Sequence, residues 1–548
     1  MESTSSRRHA ETAHLDALLM DRLISQLAGI EQRLASLESG SAPASASRPA
    51  LQAPRPGHSD IGALRSEIDF LRSELYKVND RAASMRLDRQ IRLASKRGLT
   101  KLKSSLGRPN LPSATGQGSA LSLSDEDMAR RDERRRKHAD HVQRLMTLEA
   151  DVIIVSHVYP GGRRAYGGQF IQTRVLGYKD AGLNVAVIEA DPYNKSLSRE
   201  VIDGVDILRV NLSGLDKALE LSRMRILGVH FPERPIWDVI KFYAKDTPIL
   251  AWVHGYEARD WRELEYNFTE AQRRELRPRL DRANSERRAT LREMFAHRNV
   301  TMVFVSEYMK GVAEKFVGAK APQSVVIHNP ILQSQYRYRP KSAEDRKRIL
   351  WVRSFDAHNY SNDLSRDFVL ALSRKPYFKD VAISIFGDGK HFEAITQPLR
   401  RFENVTIQRR FLTRDEMAEQ HRRHGVMLVP TRWDSQGLTA GEAMSSGLVP
   451  LTTKTAAIPE FIDSKSGFLT PYNSYRGLVK GYDKLYKNPE LFLSMSRIAS
   501  ERSQKQCGRK ATISWEVALL KEFMRPVVEL TSSPVTLPDN RILHKVAA

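Results

Sequence analysis

The sequence has little cysteine, no long apolar run and fewer acidic than basic residues. Cys507 is the single cysteine among 548 residues, which excludes an intramolecular disulfide framework and a cysteine-rich metal site. No stretch of about eighteen apolar residues is present, so no membrane-spanning helix is predicted. The opening residues, MESTSSRRHAETAH, lack the apolar centre of a signal peptide. We therefore expect a cytoplasmic protein.

The charge of the chain is strongly unbalanced. Lys and Arg total 87 and Asp and Glu total 65, which gives a formal net charge of +22. Such an excess attracts polyanions, namely nucleic acid, anionic lipid or phosphorylated substrates. No nucleic-acid-binding motif accompanies the charge, so nucleic acid is not an expected partner. The densest basic run, residues 130–137, is interpreted as a solvated helix face. Its alternative role is peripheral contact with an anionic membrane at the inner face.

The first hundred residues show a helical period. Apolar residues recur in alternating steps of three and four, which is typical of a coiled-coil seam: Met20, Leu23, Leu27, Ile30, Leu34 and Leu37, and then Ile61, Leu64, Ile68, Leu71, Leu75, Val78, Ala82 and Met85. Residues 41–60 between the seams are rich in Ser, Ala and Pro and predict a flexible linker. The seams either self-associate into a homo-oligomer or fold back within one chain.

From residue 151 onward, short apolar strands alternate with amphipathic helices, which is typical of an α/β fold. The predicted strands include residues 151–156, 185–190, 249–253 and 303–307, and then residues 349–355, 381–386, 426–430 and 467–469. A chain of this length should hold two or three domains. We predict a helical coiled-coil region at 1–103, a linker and charged helix at 104–149, Rossmann-like domains at 150–335 and 336–510, and a crossover helix and tail at 511–548.

Residues 431–460, TRWDSQGLTAGEAMSSGLVPLTTKTAAIPE, follow a predicted buried strand. Asp434 and Glu442 lie on either side of Gly437, and a helix is predicted to open where Glu442 stands. The carboxyl end of a strand in an open α/β sheet is where ligands bind, and a helix N-terminus there favours an anion. The pattern indicates a site for a phosphate with hydroxyl groups around it. The alternative is that both acids are structural caps.

Two other turns carry candidate site residues. Gly167 and Gly168 stand before a predicted helix at 169–181, where glycine lets backbone N–H groups approach a ligand. His254 follows the strand at 249–253, and a histidine there can donate to a substrate hydroxyl near neutral pH. The alternatives are that the glycines only shape the turn and that His254 is a structural hydrogen-bonding residue.

The stretch that begins at Asp434 resembles the signature of the retaining family-4 glycosyltransferases, also called glycosyl transferases group 1. It reads acid-x-x-Gly-Leu-x-x-x-Glu-Ala-Met-x-x-Gly-x-x-Pro, followed by Ile458-Pro459-Glu460. The resemblance covers residues 152–523, and nothing before residue 125 belongs to it. It implies the GT-B architecture, in which two Rossmann-like domains face a cleft, here preceded by the coiled-coil region.

The resemblance also implies roles for individual residues. In that family the second acid, here Glu442, holds the donor ribose, and the first, here Asp434, contacts hydroxyls of the transferred sugar. His254 corresponds to a histidine that lines the cleft. The positions implied to bind the donor are Gly167, Gly168, Arg353, Gly387, Gly437, Leu438 and Glu442.

The chain departs from the family pattern at two positions. The family usually has Glu where Asp434 stands. It also has a Lys about five residues after the arginine that matches Arg353, and this sequence has His358-Asn359-Tyr360 there. Either His358 replaces the lysine, another cation does, or activity is impaired.

The resemblance implies a retaining, metal-independent glycosyltransferase of the hexosyltransferase type. Its donor would be a nucleotide-diphospho-sugar, its acceptor a saccharide, polymer or lipid-linked sugar, and it would need no cofactor. Two alternatives remain: a sugar phosphorylase of the same architecture, or a catalytically weak scaffold that its coiled coil recruits to a polysaccharide assembly complex.

Overall fold

The computed structural model describes residues 125–161, 168–191 and 197–525. These residues fall in a single compact unit that begins at Leu123. The coiled-coil seams, the linker at 41–60, Gly167 and the tail after residue 525 lie outside the described residues, so the predictions made for them stay predictions.

The first sheet has eight strands within the described residues. Their spatial order is β3-β4-β2-β1-β5-β6-β7-β8, and the pairs are parallel except for the antiparallel pair β3 and β4. The strands are β1 Val152–Ser156, β2 Val185–Ala190, β3 Ser198–Ile202, β4 Val205–Val210, β5 Ile226–His230, β6 Ile249–Val253, β7 Val300–Phe304 and β8 Ser324–Val326.

Helices accompany this sheet, and most of its parallel strands are buried over their whole length. Burial on both faces explains why these strands are continuous apolar runs without alternation. The helices are α1 Asp125–Met146, α2 Gln169–Asp180, α3 Leu212–Leu221, α4 Arg234–Ile240, α5 Glu270–Ala296 and α6 Glu307–Val317. Short 3₁₀ turns follow β6 at Tyr256–Ala258 and Trp261–Asn267.

The second sheet has six parallel strands within the described residues, in the order β11-β10-β9-β12-β13-β14. The strands are β9 Arg348–Val352, β10 Ala382–Gly387, β11 Val405–Arg409, β12 Val426–Leu428, β13 Val449–Thr453 and β14 Phe468–Thr470. The helices are α7 Asn362–Leu372, α8 Phe392–Thr396, α9 Arg414–Arg423, α10 Leu438–Ser445, α11 Ile458–Phe461, α12 Tyr475–Lys487 and α13 Pro489–Cys507. His358–Tyr360 forms a 3₁₀ turn after β9.

A last helix, α14 Ile513–Phe523, follows the elements of the second sheet but packs on the first. Its residues Ile513 and Val517 share a buried cluster with Val175 of α2. Glu516 forms a fully buried ion pair with Arg174, at 2.9 Å. The chain therefore crosses from the first sheet to the second near residue 330 and returns near residue 508.

The predicted α/β fold with parallel sheets is confirmed, and most predicted strands lie within two residues of their observed limits. Strand β7 begins at Val300, three residues before the predicted start. Strands β3, β4, β5, β11 and β13 were not predicted. No helix in the described part of the chain is both long and apolar enough to cross a bilayer.

Candidate active site

The loop between β12 and α10, residues 429–437, is called the signature loop and is held in shape by Asp434. One oxygen of its carboxylate accepts hydrogen bonds from the backbone N–H of Gln436 at 3.2 Å and of Gly437 at 2.7 Å. Gly437 has φ of 81°, and a Cβ there would stand 2.7 Å from Cδ1 of Ile458. Only glycine fits this left-handed, crowded position without strain.

The start of α10 corrects one prediction. The helix begins at Leu438, four residues before Glu442, so Glu442 does not open it. Gly437 in the left-handed conformation and the turn closed by Asp434 fix the earlier start. Asp434 therefore lies before the helix and Glu442 in its second turn, and the two acids still flank the strand-to-helix corner.

Glu442 is a carboxylic acid with an unusual environment. The residue keeps part of its surface exposed, yet its carboxyl group is poorly solvated, and this desolvation raises its pKa to about 7. The guanidinium of Arg414 opposes part of that rise. A carboxyl group of this kind is poised between its two protonation states at neutral pH.

Arg353 directly follows β9 and lies under the ring of Tyr360, whose centroid is 5.0 Å from its guanidinium carbon. Nη2 donates to the carbonyl oxygen of Val429 over 3.4 Å, and Nε has no partner among the described residues. Burial lowers the pKa of Arg353, and the charge of Asp434 opposes this effect. The guanidinium is thus a buried cation with a free N–H beside the signature loop.

Gly387 ends β10 next to this arginine. A Cβ at Gly387, where φ is 150°, would stand 1.9 Å from the carbonyl oxygen of Arg353 and 2.8 Å from the Phe355 ring. The glycine therefore lets two neighbouring strand ends come together. Any larger residue would displace the backbone that carries Arg353.

His254 lies at the carboxyl end of β6 and is almost fully buried. Its Nε2 is 2.9 Å from Nδ1 of His230, the last residue of β5. Desolvation lowers the pKa of both rings well below the usual range of histidine. Glu257 accepts the backbone N–H groups of His254 and Gly255, at 3.1 and 2.8 Å, and so shapes the turn.

The N-terminus of α2 lies beside this histidine. Gly168 caps the helix with φ of 75°, and a Cβ there would meet the carbonyl oxygen of Val158 at 2.9 Å. The ring of Phe170 packs on His254 with centroids 4.6 Å apart. Arg414, from α9, donates to the carbonyl oxygen of Gln169 at 3.3 Å. Arg414 therefore contacts the first residue of α2, and its charge also acts on Glu442.

The signature loop also docks on the turn that carries His254. Trp433 is buried among the apolar residues of the first sheet, and a Cβ at Gly255 would stand 3.1 Å from its ring. The guanidinium of Arg259 lies 4.2 Å from the centre of the same ring. The loop and the turn after β6 are therefore in direct contact.

Three further residues hold the loop against the first sheet. Gln436 accepts from the backbone N–H of Asn329 at 2.7 Å and donates to its carbonyl oxygen at 3.0 Å. Ser306 donates to the carbonyl oxygen of Ser435 at 2.7 Å. Glu460 accepts the first two backbone N–H groups of α6, at 3.0 and 2.6 Å. The two sheets are joined by polar contacts as well as by the chain itself.

His358 occupies the region where a lysine was expected. Its ring packs on that of His391 with centroids 4.5 Å apart, and its backbone N–H donates to Asn267 at 2.8 Å. Burial lowers the pKa of His391, and the neighbouring His358 lowers it further.

Sequence reasoning missed several residues of the site. His230 contacts His254, the charge of Arg414 acts on Glu442, and three other residues hold the region against the first sheet: Trp433, Gln436 and Glu460. None of the five received a role. His230 carried a usable signal, because it follows an apolar run at 226–229 just as His254 follows one at 249–253. The partners of the other four depend on contacts between distant segments.

Comparison with known proteins agrees with this arrangement. Residues 346–488, which include β9, β12 and the signature loop, match the family described as Glycosyl transferases group 1. This part of the chain is a glycosyltransferase domain. The match confirms the predicted glycosyltransferase enzyme for the domain that it covers, and it contains Arg353, Asp434 and Glu442 together.

Similar proteins support the fold around the glycosyltransferase domain. N-acetyl-alpha-D-glucosaminyl L-malate synthase of Bacillus anthracis is 29% identical over 162 residues, which are 28% of this chain and 42% of that protein. The aligned stretch thus spans less than half of that relative. Sucrose-phosphate synthase of Thermosynechococcus elongatus superposes with a TM-score of 0.52 at 16% identity, over 68% of this chain and 98% of that one. The predicted GT-B fold is confirmed.

A further solved structure also resembles the chain. The catalytic domain of starch synthase IV from Arabidopsis thaliana, bound to ADP and acarbose, has a TM-score of 0.49 and 11% identity, over 69% of this chain and all of that domain.

Proposed function

We propose that the protein is a retaining family-4 glycosyltransferase that acts without a metal ion. It transfers a sugar from a nucleotide-diphospho-sugar to a saccharide, polymer or lipid-linked acceptor. The observation that carries this proposal is the contact of the signature loop with the turn of His254, because Trp433 and Ser435 lie against Gly255, the residue after His254, and Asp434 belongs to the same loop.

The charges of the region suit a nucleoside diphosphate donor. Arg353 offers a buried N–H without a partner among the described residues, and the N-terminus of α2, which follows Gly168, is a helix start that favours an anion. Such preorganised donors stabilise the charge that develops on a leaving diphosphate. Glu442 supplies carboxylate oxygens for ribose hydroxyls. Asp434 binds the backbone of its own loop through Oδ1, so Oδ2 is the oxygen that would meet a sugar hydroxyl.

His254 completes the proposed reaction centre from the first sheet. Its Nδ1 has no partner within the described residues, so it can bond a sugar oxygen near the anomeric carbon. Enclosure between the two sheets excludes water, which would otherwise hydrolyse the activated sugar. No carboxylate needs to act as a nucleophile in this scheme.

The proposal is tested with a panel of nucleotide-sugars, each measured with and without EDTA. Calorimetry reports donor binding, and NMR of the product reports the anomeric configuration. We expect one donor to bind and turn over in EDTA with retained configuration, and Glu442→Ala to lose this binding. The matched control is Glu393→Ala, since Glu393 is an exposed glutamate of helix α8 that pairs with Arg400. Loss of turnover in EDTA or an inverted product would contradict the proposal.

Absence of binding to every donor would favour the scaffold alternative. We further propose a homo-oligomer through the seams at 20–37 and 61–85, which lie outside the described residues. We also propose peripheral contact of the basic surface with an anionic membrane at the cytoplasmic face. Replacing Leu71 and Leu75 by Asp would then lower the mass in solution without changing turnover per chain.

A further inference from the structure

The two buried histidines of the first sheet form a single hydrogen-bonded unit. His230 ends β5 and His254 follows β6, and these neighbouring parallel strands place both rings at one edge of the sheet. Nδ1 of His230 lies 2.9 Å from Nε2 of His254, with the ring planes 22° apart. His230 also stacks on Trp252 at 4.5 Å. The ring of His230 is therefore fixed by packing on one side and by His254 on the other.

The bond couples the protonation of the two rings. A neutral imidazole carries one N–H, so a bond between two neutral rings uses a single proton. If Nδ1 of His230 donates, the Nδ1 of His254 must carry its own hydrogen and act as a donor. If Nε2 of His254 donates instead, its Nδ1 is a bare acceptor. The tautomer of His230 thus decides what His254 can offer to a substrate.

The surroundings keep the pair neutral and leave its two ends free. Among the described residues, Nδ1 of His254 and Nε2 of His230 have no hydrogen-bond partner. The charged and titratable groups that face the pair are Arg174 from α2 and His157 after β1, and Arg174 adds to desolvation in lowering the pKa of both histidines. The carboxylate of Glu257 accepts hydrogen bonds from the backbone N–H groups of His254 and Gly255 and makes none with either imidazole ring. A carboxylate commonly orients a functional histidine, and here a second imidazole occupies that place.

The backbone beside the pair is strained. Phe231 follows His230 with φ of 56°, a left-handed conformation that an aromatic residue rarely adopts. Its ring packs on His254 with centroids 4.8 Å apart and on His157 at 4.6 Å. Strain of this kind persists where the surrounding structure demands it, and it is concentrated at functional sites.

We propose that His230 is a positioning residue for sugar transfer, which holds the ring of His254 and sets its tautomer so that Nδ1 of His254 meets the substrate in one defined state. This inference rests on the proposed function, because it requires His254 to face the transferred sugar. His230 acts through His254 and does not itself contact the substrate.

Three substitutions of His230 separate this role from a structural one. His230→Phe keeps an aromatic ring on Trp252 but removes the bond to His254. His230→Asn retains an amide group at the place of Nδ1, and His230→Gln moves the amide to the place of Nε2. We expect His230→Phe and His230→Gln to lower kcat about 10- to 100-fold and to leave donor KM within about twofold. Both variants lose the bond that positions the ring of His254, which acts in the reaction and not in donor binding. His230→Asn should recover kcat to within about fivefold of the unchanged protein.

Circular dichroism and thermal denaturation report whether each variant is folded, independently of turnover. Equal kcat in all three variants and the unchanged protein would overturn the inference. Equal losses of kcat in His230→Asn and His230→Gln would also overturn it. If His230→Phe fails to fold, the comparison of kcat between His230→Asn and His230→Gln decides in the same way. If the unchanged protein turns over no nucleotide-sugar, the proposed function has failed. Turnover that is insensitive to His230 would refute the role of His230 alone.

Discussion

The carboxyl group of Glu442 lies where its ionised form is poorly solvated. Its pKa of about 7 in the folded protein exceeds the ordinary value of 4.5. Because the folded pKa is raised, the stabilising contribution of this group is fully present below pH 4 to 5 and is lost as the pH rises through about 7. Above that pH, the ionised carboxylate destabilises the protein.

Replacement of Glu442 by glutamine should therefore stabilise the free protein in a pH-dependent way. At pH 8 we expect a gain of at most about 3 kcal/mol, from the size of the pKa difference, and at pH 5 little change. Thermal denaturation at the two pH values measures the effect, with Glu393→Gln as the control. A variant no more stable than the unchanged protein at pH 8 would show that the carboxylate is better solvated than this pKa indicates. Loss of donor binding in the stabilised variant would place the destabilising group in the donor site.

The sequence was sufficient to name single residues of the site but not their partners. Asp434, Glu442, Arg353 and His254 all follow predicted strands, and the ends of parallel strands meet at one edge of a sheet. The bond between His230 and His254 joins residues 24 positions apart, and no local pattern encodes such a contact. The same holds for Arg414, whose closeness to Glu442 depends on the packing of α9 against α10.

At the scale of elements, the N-terminus of helix α6 depends on Glu460, a residue of α11 in the half of the chain that forms the second sheet. Ser306 caps it locally by accepting the backbone N–H of Met309 at 3.1 Å, while Glu460 accepts the N–H groups of Glu307 and Tyr308. Four N–H groups at a helix start lack partners within the helix, and carboxylates there are favoured by the helix dipole. Glu460 thus stabilises α6 and fastens the signature region to the first sheet.

Glu460→Ala should expose the first turn of α6. We expect a destabilisation of about 1 kcal/mol, in the range found for lost helix caps, and faster hydrogen exchange at the amides of Glu307 and Tyr308. Hydrogen exchange with mass spectrometry measures this locally, and Glu460→Gln is the matched variant because it keeps one carbonyl acceptor. Unchanged exchange in the alanine variant would mean that water satisfies these amides equally well.

Prediction succeeded for elements that are apolar runs between polar turns. Strands β1, β2, β6 and β12 belong to this type and were placed within two residues. The hairpin of β3 and β4 was missed because β3, SREVI, is largely exposed at the sheet edge and has no apolar face. The start of α10 was misplaced because Asp434 and Gly437 form a cap that lies one turn before the helix formers at Glu442 and Ala443.

At the scale of the molecule, a buried polar network ties the last helix to the first sheet. Arg174 and Glu516 are both fully buried. Tyr178 donates to Glu516 at 2.6 Å, and Arg174 donates to Asn329 at 2.9 Å. Breaking one member of a buried pair leaves an uncompensated charge, whereas replacing both members by apolar residues is often nearly neutral.

We therefore predict a strongly non-additive pair of substitutions. Glu516→Ala should destabilise the protein by roughly 3–5 kcal/mol, and Arg174→Met combined with Glu516→Leu should destabilise it much less. Thermal denaturation of the two variants beside the unchanged protein gives the comparison. Equal losses would mean that the network contributes through shape and hydrogen bonds rather than through its charges.

The two crossings of the chain have a mechanical consequence. The backbone N–H of Ile331 donates to the carbonyl oxygen of Cys507 at 2.9 Å, so the outgoing and returning segments run side by side. Gln436 bonds Asn329 on one segment and Cys507 on the other. A rotation of one sheet against the other would have its hinge where these two segments lie together, and residues close to a hinge move least. Gln436 holds the loop of Asp434 at this hinge, so an opening motion would displace distant contacts between the sheets most.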